Sequence, residues 1–309
     1  MKRLLLVVLL AAVAAYGWWH KRGRAPAMEE LSNGDFGISM SQEELAALPP
    51  EQRAALEAAV REATSPEDFE RRVREAAATG GTQAALAAPG VPQGRRYALE
   101  DFDERYLKAS LQGWRVRVAR DLVARSEPTA MAALGAIDAQ LASIAAALPA
   151  ARVASLRLVP IWLEDKVPGM EVLVYHWTDG WLREHGLNPA KADSIDIPDA
   201  QAFLLNVGDQ PGMLLHELTH AYHMRALGEQ NEDIQRAYRS AMAAGLYERV
   251  RSVSGGEGPA YARTNEKEYF AEITEAYFLR NDFYPFTREE LRAYDPGGYA
   301  LVEALWVRR

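Results

Sequence analysis

The chain has 309 residues, of which 49% are hydrophobic, so it can bury a sizeable core and hold one enzyme domain with extensions. Its net charge of −8 argues against nucleic acid as a partner. The absence of cysteine excludes a disulfide framework and a lipoprotein acylation site.

Residues 1–24 have the pattern of a signal peptide or a membrane anchor. A basic start precedes an apolar run from Leu4 to Trp19. Ala12-Val13-Ala14 offers a small-residue cleavage site, whereas Trp18, Trp19 and the basic residues after them suit an interfacial anchor that holds the chain at a membrane through residues 4–19. Both alternatives predict that the rest of the chain works outside the bacterial cytoplasm, in the periplasm, membrane-anchored or secreted.

Residues 25–95 are predicted to form an acidic helical linker or extension. Within them, residues 29–80 hold 12 acidic and 5 basic side chains, a net of −7, so this segment accounts for most of the acidity. Residues 51–63 and 66–78 are rich in Ala, Glu and Arg and favour helices with thin apolar stripes. The Gly- and Pro-containing stretch after them indicates a flexible break.

Residues 96–309 are predicted to form the compact domain. Strands are expected at 114–118, 156–163 and 171–177, with a short edge strand at 194–197 that could pair with a substrate. Helices are expected at 128–148, at 211–227, from about Asn265 onward and at 298–306. Because strands precede helices in bulk, the pattern favours an α+β fold in which a mixed sheet packs on an active-site helix.

The segment His216-Glu-Leu-Thr-His220 carries the chemistry. Two histidines four residues apart lie on one face of a helix, so both can reach one metal ion, and Glu217 between them can act as general base on a metal-bound water. Asp209 and Pro211 are a good helix start, and Gly228 is placed to end the helix. The alternative is a pair of surface histidines without a metal.

A catalytic zinc ion takes three protein ligands. Glu268 is our choice for the third, with Glu272, one turn later, holding a ligand histidine by its free N–H. Two alternatives stay open on spacing alone. Asn265-x-x-Glu268 also fits a capping box, and Glu266 is a weaker rival ligand.

His216-Glu-x-x-His220 and Tyr261-x-Arg-Thr-Asn-Glu-x-Glu268-Tyr-Phe-Ala-Glu272 together resemble the catalytic domain of anthrax lethal factor and the bacterial Pro-Pro endopeptidases. The resemblance implies a zincin-like metallopeptidase domain of the gluzincin type, with one Zn²⁺ held by His216, His220 and Glu268. It also implies Glu217 as base and Tyr261 as an assisting phenol. The expected activity is endopeptidase cleavage of a protein or peptide substrate.

Other interpretations are kept beside this one. The alternative function is a catalytically inactive peptidase-like binding or scaffold protein at the cell envelope. A structural zinc site would normally need four ligands with cysteines, which the chain lacks. His223 is interpreted as a residue that supports the ligands or as a satisfied core histidine. His176 and His185, beside Trp177 and Trp181, are interpreted as ordinary packing and surface histidines, with a substrate pocket as the alternative.

Overall fold

The computed structural model describes residues 4–6, 28–32, 36–41, 50–65, 68, 72, 94–170, 172–208, 210–253 and 255–308. The chain divides into two compact units, Met1–Ala87 and Ala88–Arg309. The second unit thus begins eight residues before the predicted start of the compact domain.

The first unit contains a small sheet that the sequence did not indicate. Its strands are β1 (Leu4–Leu6), β2 (Met28–Ser32) and β3 (Phe36–Ser41), in the order β1-β3-β2. Helix α1 (Pro50–Glu62) confirms the helix expected at 51–63. Most of the predicted signal or anchor and of the helix expected at 66–78 lies outside the described residues.

The second unit is α+β and contains a mixed six-stranded sheet. Its strands are β4 (Glu100–Asp101), β5 (Tyr106–Leu111), β6 (Trp114–Ala119), β7 (Ile161–Leu163), β8 (Val174–His176) and β9 (Ser194–Ile197). Their order in the sheet is β4-β5-β6-β7-β9-β8. Strands β6, β7 and β9 run parallel, and the other neighbours are antiparallel.

Ten α-helices of the second unit lie within the described residues. They are α2 (Arg120–Arg125), α3 (Glu127–Ala147), α4 (Ala150–Leu156), α5 (Asp179–Glu184), α6 (Ala200–Asn206), α7 (Met213–Tyr222), α8 (Glu232–Ala243), α9 (Glu266–Phe278), α10 (Arg288–Tyr294) and α11 (Pro296–Val302). A two-stranded ribbon of β10 (Val250–Arg251) and β11 (Glu257–Gly258) lies between α8 and α9.

Helix α3 is the central core helix of this unit. Its apolar residues Leu134, Ile137, Leu141 and Ile144 are fully buried, as their helical spacing predicts. Among the described residues it is also the one helix long and apolar enough to cross a membrane, with 61% of its most apolar window buried. Since a core helix passes the same test of length and composition, this gives only weak support for a membrane span.

Two strand predictions need correction. The strand expected at 156–163 is β7 alone, because Leu156 is the last residue of α4. The edge strand expected at 194–197 is wrong, since β9 lies between β7 and β8, and all four of its residues are buried. The edge strand on this side of the sheet is β8, which precedes β9 in the chain but lies outside it in the sheet. Order along the chain does not determine order in a sheet.

Candidate metal centre

Helix α7 carries the two histidines. It begins after Gly212, continues into a π-helical turn at His223–Leu227 and ends at Gly228, whose φ of +83° suits glycine. This confirms the helix predicted over 211–227. Asp209, the predicted N-cap, lies outside the described residues. Pro211 precedes the first helical residue instead of lying in the first turn.

Helix α9 carries Glu268. Asn265 is its N-cap, with its side-chain oxygen accepting hydrogen bonds from the backbone N–H of Lys267 and of Glu268 at 2.9 and 3.0 Å. Only this half of the predicted capping box forms. The carboxylate of Glu268 turns away from the cap toward the two histidines of α7.

The three predicted ligands come together. The Oε2 atom of Glu268 lies 2.9 Å from His216 Nε2 and 3.2 Å from His220 Nε2. Ligand atoms around a tetrahedral zinc ion, with bonds of 2.0–2.1 Å, are spaced by about 3.3 Å, so a small expansion would admit the ion. Two imidazoles and one carboxylate are also the donor set of a catalytic zinc site. Glu266 is not a member of this group.

The second ring nitrogen of His216 is held by Glu275. Its Nδ1 lies 2.7 Å from Glu275 Oε1, whereas Glu272 instead accepts a hydrogen bond from Asn281 Nδ2 at 3.1 Å. The prediction of Glu272 for this position is therefore wrong. Positions seven apart on a helix differ by about 20° in direction and those four apart by about 40°, so Glu275 is better aligned with Glu268. The two carboxylates, two turns apart on α9, contact opposite nitrogens of the imidazole.

The electrostatics of the group favour positive charge between its members. Burial lowers the pKa of His216, but hydrogen bonds to Glu268 and Glu275 outweigh it and raise that pKa well above its usual range. Burial opposes ionisation of Glu268, yet its contacts with both histidines hold its pKa well below the ordinary value. A cation shared by these three side chains is thus stabilised by its surroundings.

Gly212, at the start of α7, makes room for Glu275. A Cβ built at Gly212 would lie 2.0 Å from Glu275 Oε2 and 2.9 Å from its Cδ. The backbone of Gly212 has φ of −93° and ψ of −3°, which any residue adopts, so the requirement for glycine here is steric. Burial raises the pKa of Glu275 to about 7, although its hydrogen bond with His216 opposes this.

Glu217 contacts the edge of the sheet. Glu217 is 9% exposed, and its Oε2 accepts a hydrogen bond of 2.7 Å from the backbone N–H of Tyr175 in β8, the edge strand. The candidate base is therefore oriented by the strand along which an extended peptide could pair.

Tyr261 stands at the open side of the group. It begins a 3₁₀ turn, Tyr261–Arg263, and is 48% exposed, with its ring centroid 6.1 Å from that of His216. Burial and the charge of Glu268 raise the pKa of its phenol. The hydroxyl therefore keeps its proton near neutral pH and can donate a hydrogen bond.

The remaining histidines lie outside the group. His223 is fully buried, but neither ring nitrogen has a hydrogen-bond partner among the described residues, so the prediction of a satisfied histidine is wrong. Burial lowers its pKa to about 4. His176 is buried against Asp196 at 3.2 Å and stacks on Trp181, and the ring of His185 stacks on the same indole. Those two are packing residues, as expected.

Sequence reasoning missed Glu275, Gly212 and Tyr175, all of which support the group. Of these three, only Glu275 could have been found from the sequence, because it follows Glu268 by two helical turns. Comparison of the chain with protein-family models, curated proteins and solved structures finds no match. Assignment of a function therefore depends on the site itself and on the resemblance carried by its two segments.

Proposed function

We propose that this chain is a zinc-dependent endopeptidase with a zincin-like domain. The observation that carries the proposal is the convergence of His216 Nε2 and His220 Nε2 on Glu268 Oε2, at 2.9 and 3.2 Å, beside a buried Glu217. Two elements 52 residues apart in sequence supply these donors. The mixed sheet beside α7 agrees with the fold proposed.

Zn²⁺ bound by these three side chains would lower the pKa of a coordinated water toward neutrality and polarise a peptide carbonyl. Glu217 would take the proton of the attacking water and later give it to the leaving amine. Tyr261, through its protonated hydroxyl, would donate a hydrogen bond to the carbonyl oxygen as negative charge develops there. Glu275 would fix the ring of His216 so that Nε2 faces the ion.

The position of β8 suggests how a substrate would bind. An edge strand presents unpaired N–H and C=O groups to which an extended peptide can add by main-chain hydrogen bonds. Because β8 lies against Glu217, a peptide paired there would pass the metal centre. We therefore propose a protein or peptide substrate bound in extended form, and an extracytoplasmic location for the enzyme, as the N-terminal 24 residues predict.

The test is a comparison of the wild type with Glu217→Gln. The variant keeps the shape of the side chain and its contact with Tyr175 but cannot accept a proton. We expect unchanged zinc content, measured by atomic absorption, and loss of cleavage of a proteome-derived peptide library. Full cleavage by the variant would remove the general-base assignment. Zinc binding without cleavage by the wild type would instead favour the inactive scaffold.

The ligand set has its own test. Glu268→Ala should reduce zinc content far more than Glu266→Ala, which removes an equal charge two residues earlier on the same helix. Equal losses, or a loss in the latter alone, would reassign the third ligand. Substitution of Glu266 is a matched control because this residue lies outside the group of three donors.

A further inference from the structure

The outer face of β5 and β6 carries positive charge that no feature of the proposed peptidase uses. Lys108 lies directly opposite Arg117 in the strand register, and Ser110 lies opposite Arg115. All four side chains therefore project from the same face of the sheet. The alternate residues, such as Val116, are buried on the other face.

These cations are poorly balanced by acids. Glu100 of β4 lies 3.2 Å from Lys108 Nζ and is the only acid among the residues that line the cavity on this face. Like charges directly opposite each other on neighbouring strands are destabilising. Among the residues that line the cavity, three cations and one acid leave a charge of about +2, on a chain whose net charge is −8; outside the lining, the charge of Asp103 also acts on Arg117.

The guanidinium of Arg117 is fixed in one position by its neighbours. Its guanidinium carbon lies 4.6 Å from the ring centre of Phe102 and 4.2 Å from that of Trp162, so the side chain is fixed between two aromatic rings. No hydrogen bond or ion pair joins its guanidinium to any other residue in the part of the chain that the structure describes. A planar fork of donors, fixed in place and unpaired, matches the oxygens of a phosphate or a carboxylate.

A cavity of about 410 Å³ opens over these side chains. Tyr97, Phe102 and Pro160 add apolar surface to its lining. Its volume is within the range of small-molecule sites. Since three strand spacings of about 4.8 Å separate β6 from β8, the cavity lies more than about 10 Å from the strand that contacts Glu217.

We propose that this cavity binds a small phosphomonoester. The phosphate, with a charge between −1.5 and −2 near neutral pH, would neutralise the excess of about two positive charges. Arg117 and Arg115 would each donate to its oxygens, with Lys108 as the third cation. The body of the ligand would lie against Phe102 and Pro160. This site and the metal centre are independent proposals.

The test is isothermal titration of the full chain, freed of metal by dialysis against a chelator, with phenyl phosphate at low ionic strength. We expect one saturable site, weaker binding as sodium chloride is added, and no binding of phenol. Arg117→Gln should lower the affinity about tenfold or more, and Arg239→Gln, which removes an exposed cation from α8, should leave it unchanged. Arg115→Gln serves as the second variant if circular dichroism shows Arg117→Gln to be misfolded.

Three results would overturn the proposal. The first is the absence of saturable binding by the wild type. The second is equal affinity in the Arg117, Arg115 and Arg239 variants, which would indicate nonspecific attraction. The third is loss of binding in His216→Ala with retention in Arg117→Gln, which would place the phosphate at the metal centre. Binding to phosphatidic acid vesicles without binding of phenyl phosphate would assign the face to a membrane and count equally against the proposal.

Discussion

Substitution of Gly212 by alanine tests how the metal centre is supported. The new Cβ would lie 2.0 Å from Glu275 Oε2, and ordinary contact begins at 3.4 Å, so the carboxylate would have to move by about 1.4 Å. Its bond to His216 Nδ1 is now 2.7 Å long, and a shift of that size away from the ring would break it. His216 would lose the group that orients it.

The expected loss of zinc affinity follows from the loss of the hydrogen bond between Glu275 and His216. Removal of a partner that orients a metal ligand typically weakens metal binding by about 10- to 100-fold, which corresponds to about 1.4–2.8 kcal/mol. Glu275 is 3% exposed, so breaking the hydrogen bond of its buried carboxylate would also lower the free energy of unfolding by about 1–3 kcal/mol. The backbone contributes little, since the φ of Gly212 is accessible to alanine.

The assay is the apparent zinc dissociation constant, measured by competition with a chromophoric chelator near neutral pH. Gly180→Ala is the matched control, because a Cβ at Gly180 would meet only Thr178 Oγ1, at 3.9 Å. The decisive measurement repeats Gly212→Ala in a Glu275→Ala background, where the clash no longer exists and the cost should largely vanish. Zinc affinity within threefold of wild type, or an equal cost in both backgrounds, would refute the steric reasoning.

Three further predictions concern single side chains. Tyr261→Phe should keep zinc and lose about a hundredfold in kcat for peptide cleavage, and an unchanged kcat would remove the phenol from the mechanism. Glu275→Ala should weaken zinc binding about tenfold or more, whereas Glu272→Ala, an equal truncation one turn earlier, should stay within threefold; the reverse order would restore the original assignment of Glu272. Lys191→Met should lower the free energy of unfolding by about 3–5 kcal/mol, because Lys191 is 4% exposed and its ammonium lies 2.8 Å from both oxygens of Asp196. A thermal midpoint within about 2 °C of wild type would contradict that last estimate.

The parts of the centre that the sequence predicted are those governed by local periodicity. His216 and His220 face the same way because both lie on one helix, and Asn265 fixes the start of the helix that carries Glu268. Each inference needed only the spacing of residues within about two turns. Prediction of the contact between Glu268 and the histidines also needed the family resemblance, since spacing alone left the capping box as an equal alternative.

The parts that the sequence could not predict depend on how distant segments pack. The placement of β8 outside β9 is a choice of topology, and the pattern of Ser194–Ile197 misleads because Asp196 looks exposed until Lys191 neutralises it in the interior. The assignment of Glu272 fails for a related reason. Sequence reasoning chose Glu272, one turn after Glu268, and only the packing of α9 on α7 shows that Glu275 is the partner of His216.

Gly212 shows why such supports are hard to recognise in a sequence. At the start of α7 it supplies no side-chain cap, but glycine is a tolerated N-cap residue, so its presence there does not draw notice. Its value is clear only beside Glu275, 63 positions later, whose carboxylate occupies the space that a Cβ would fill. Glycine in place of a capping side chain costs only about a few tenths of a kcal/mol, which is smaller than the roughly 1.4–2.8 kcal/mol expected from loss of the contact between Glu275 and His216. Glycine is therefore favoured at this position because it lets a second helix orient the metal ligand, at little cost to its own helix.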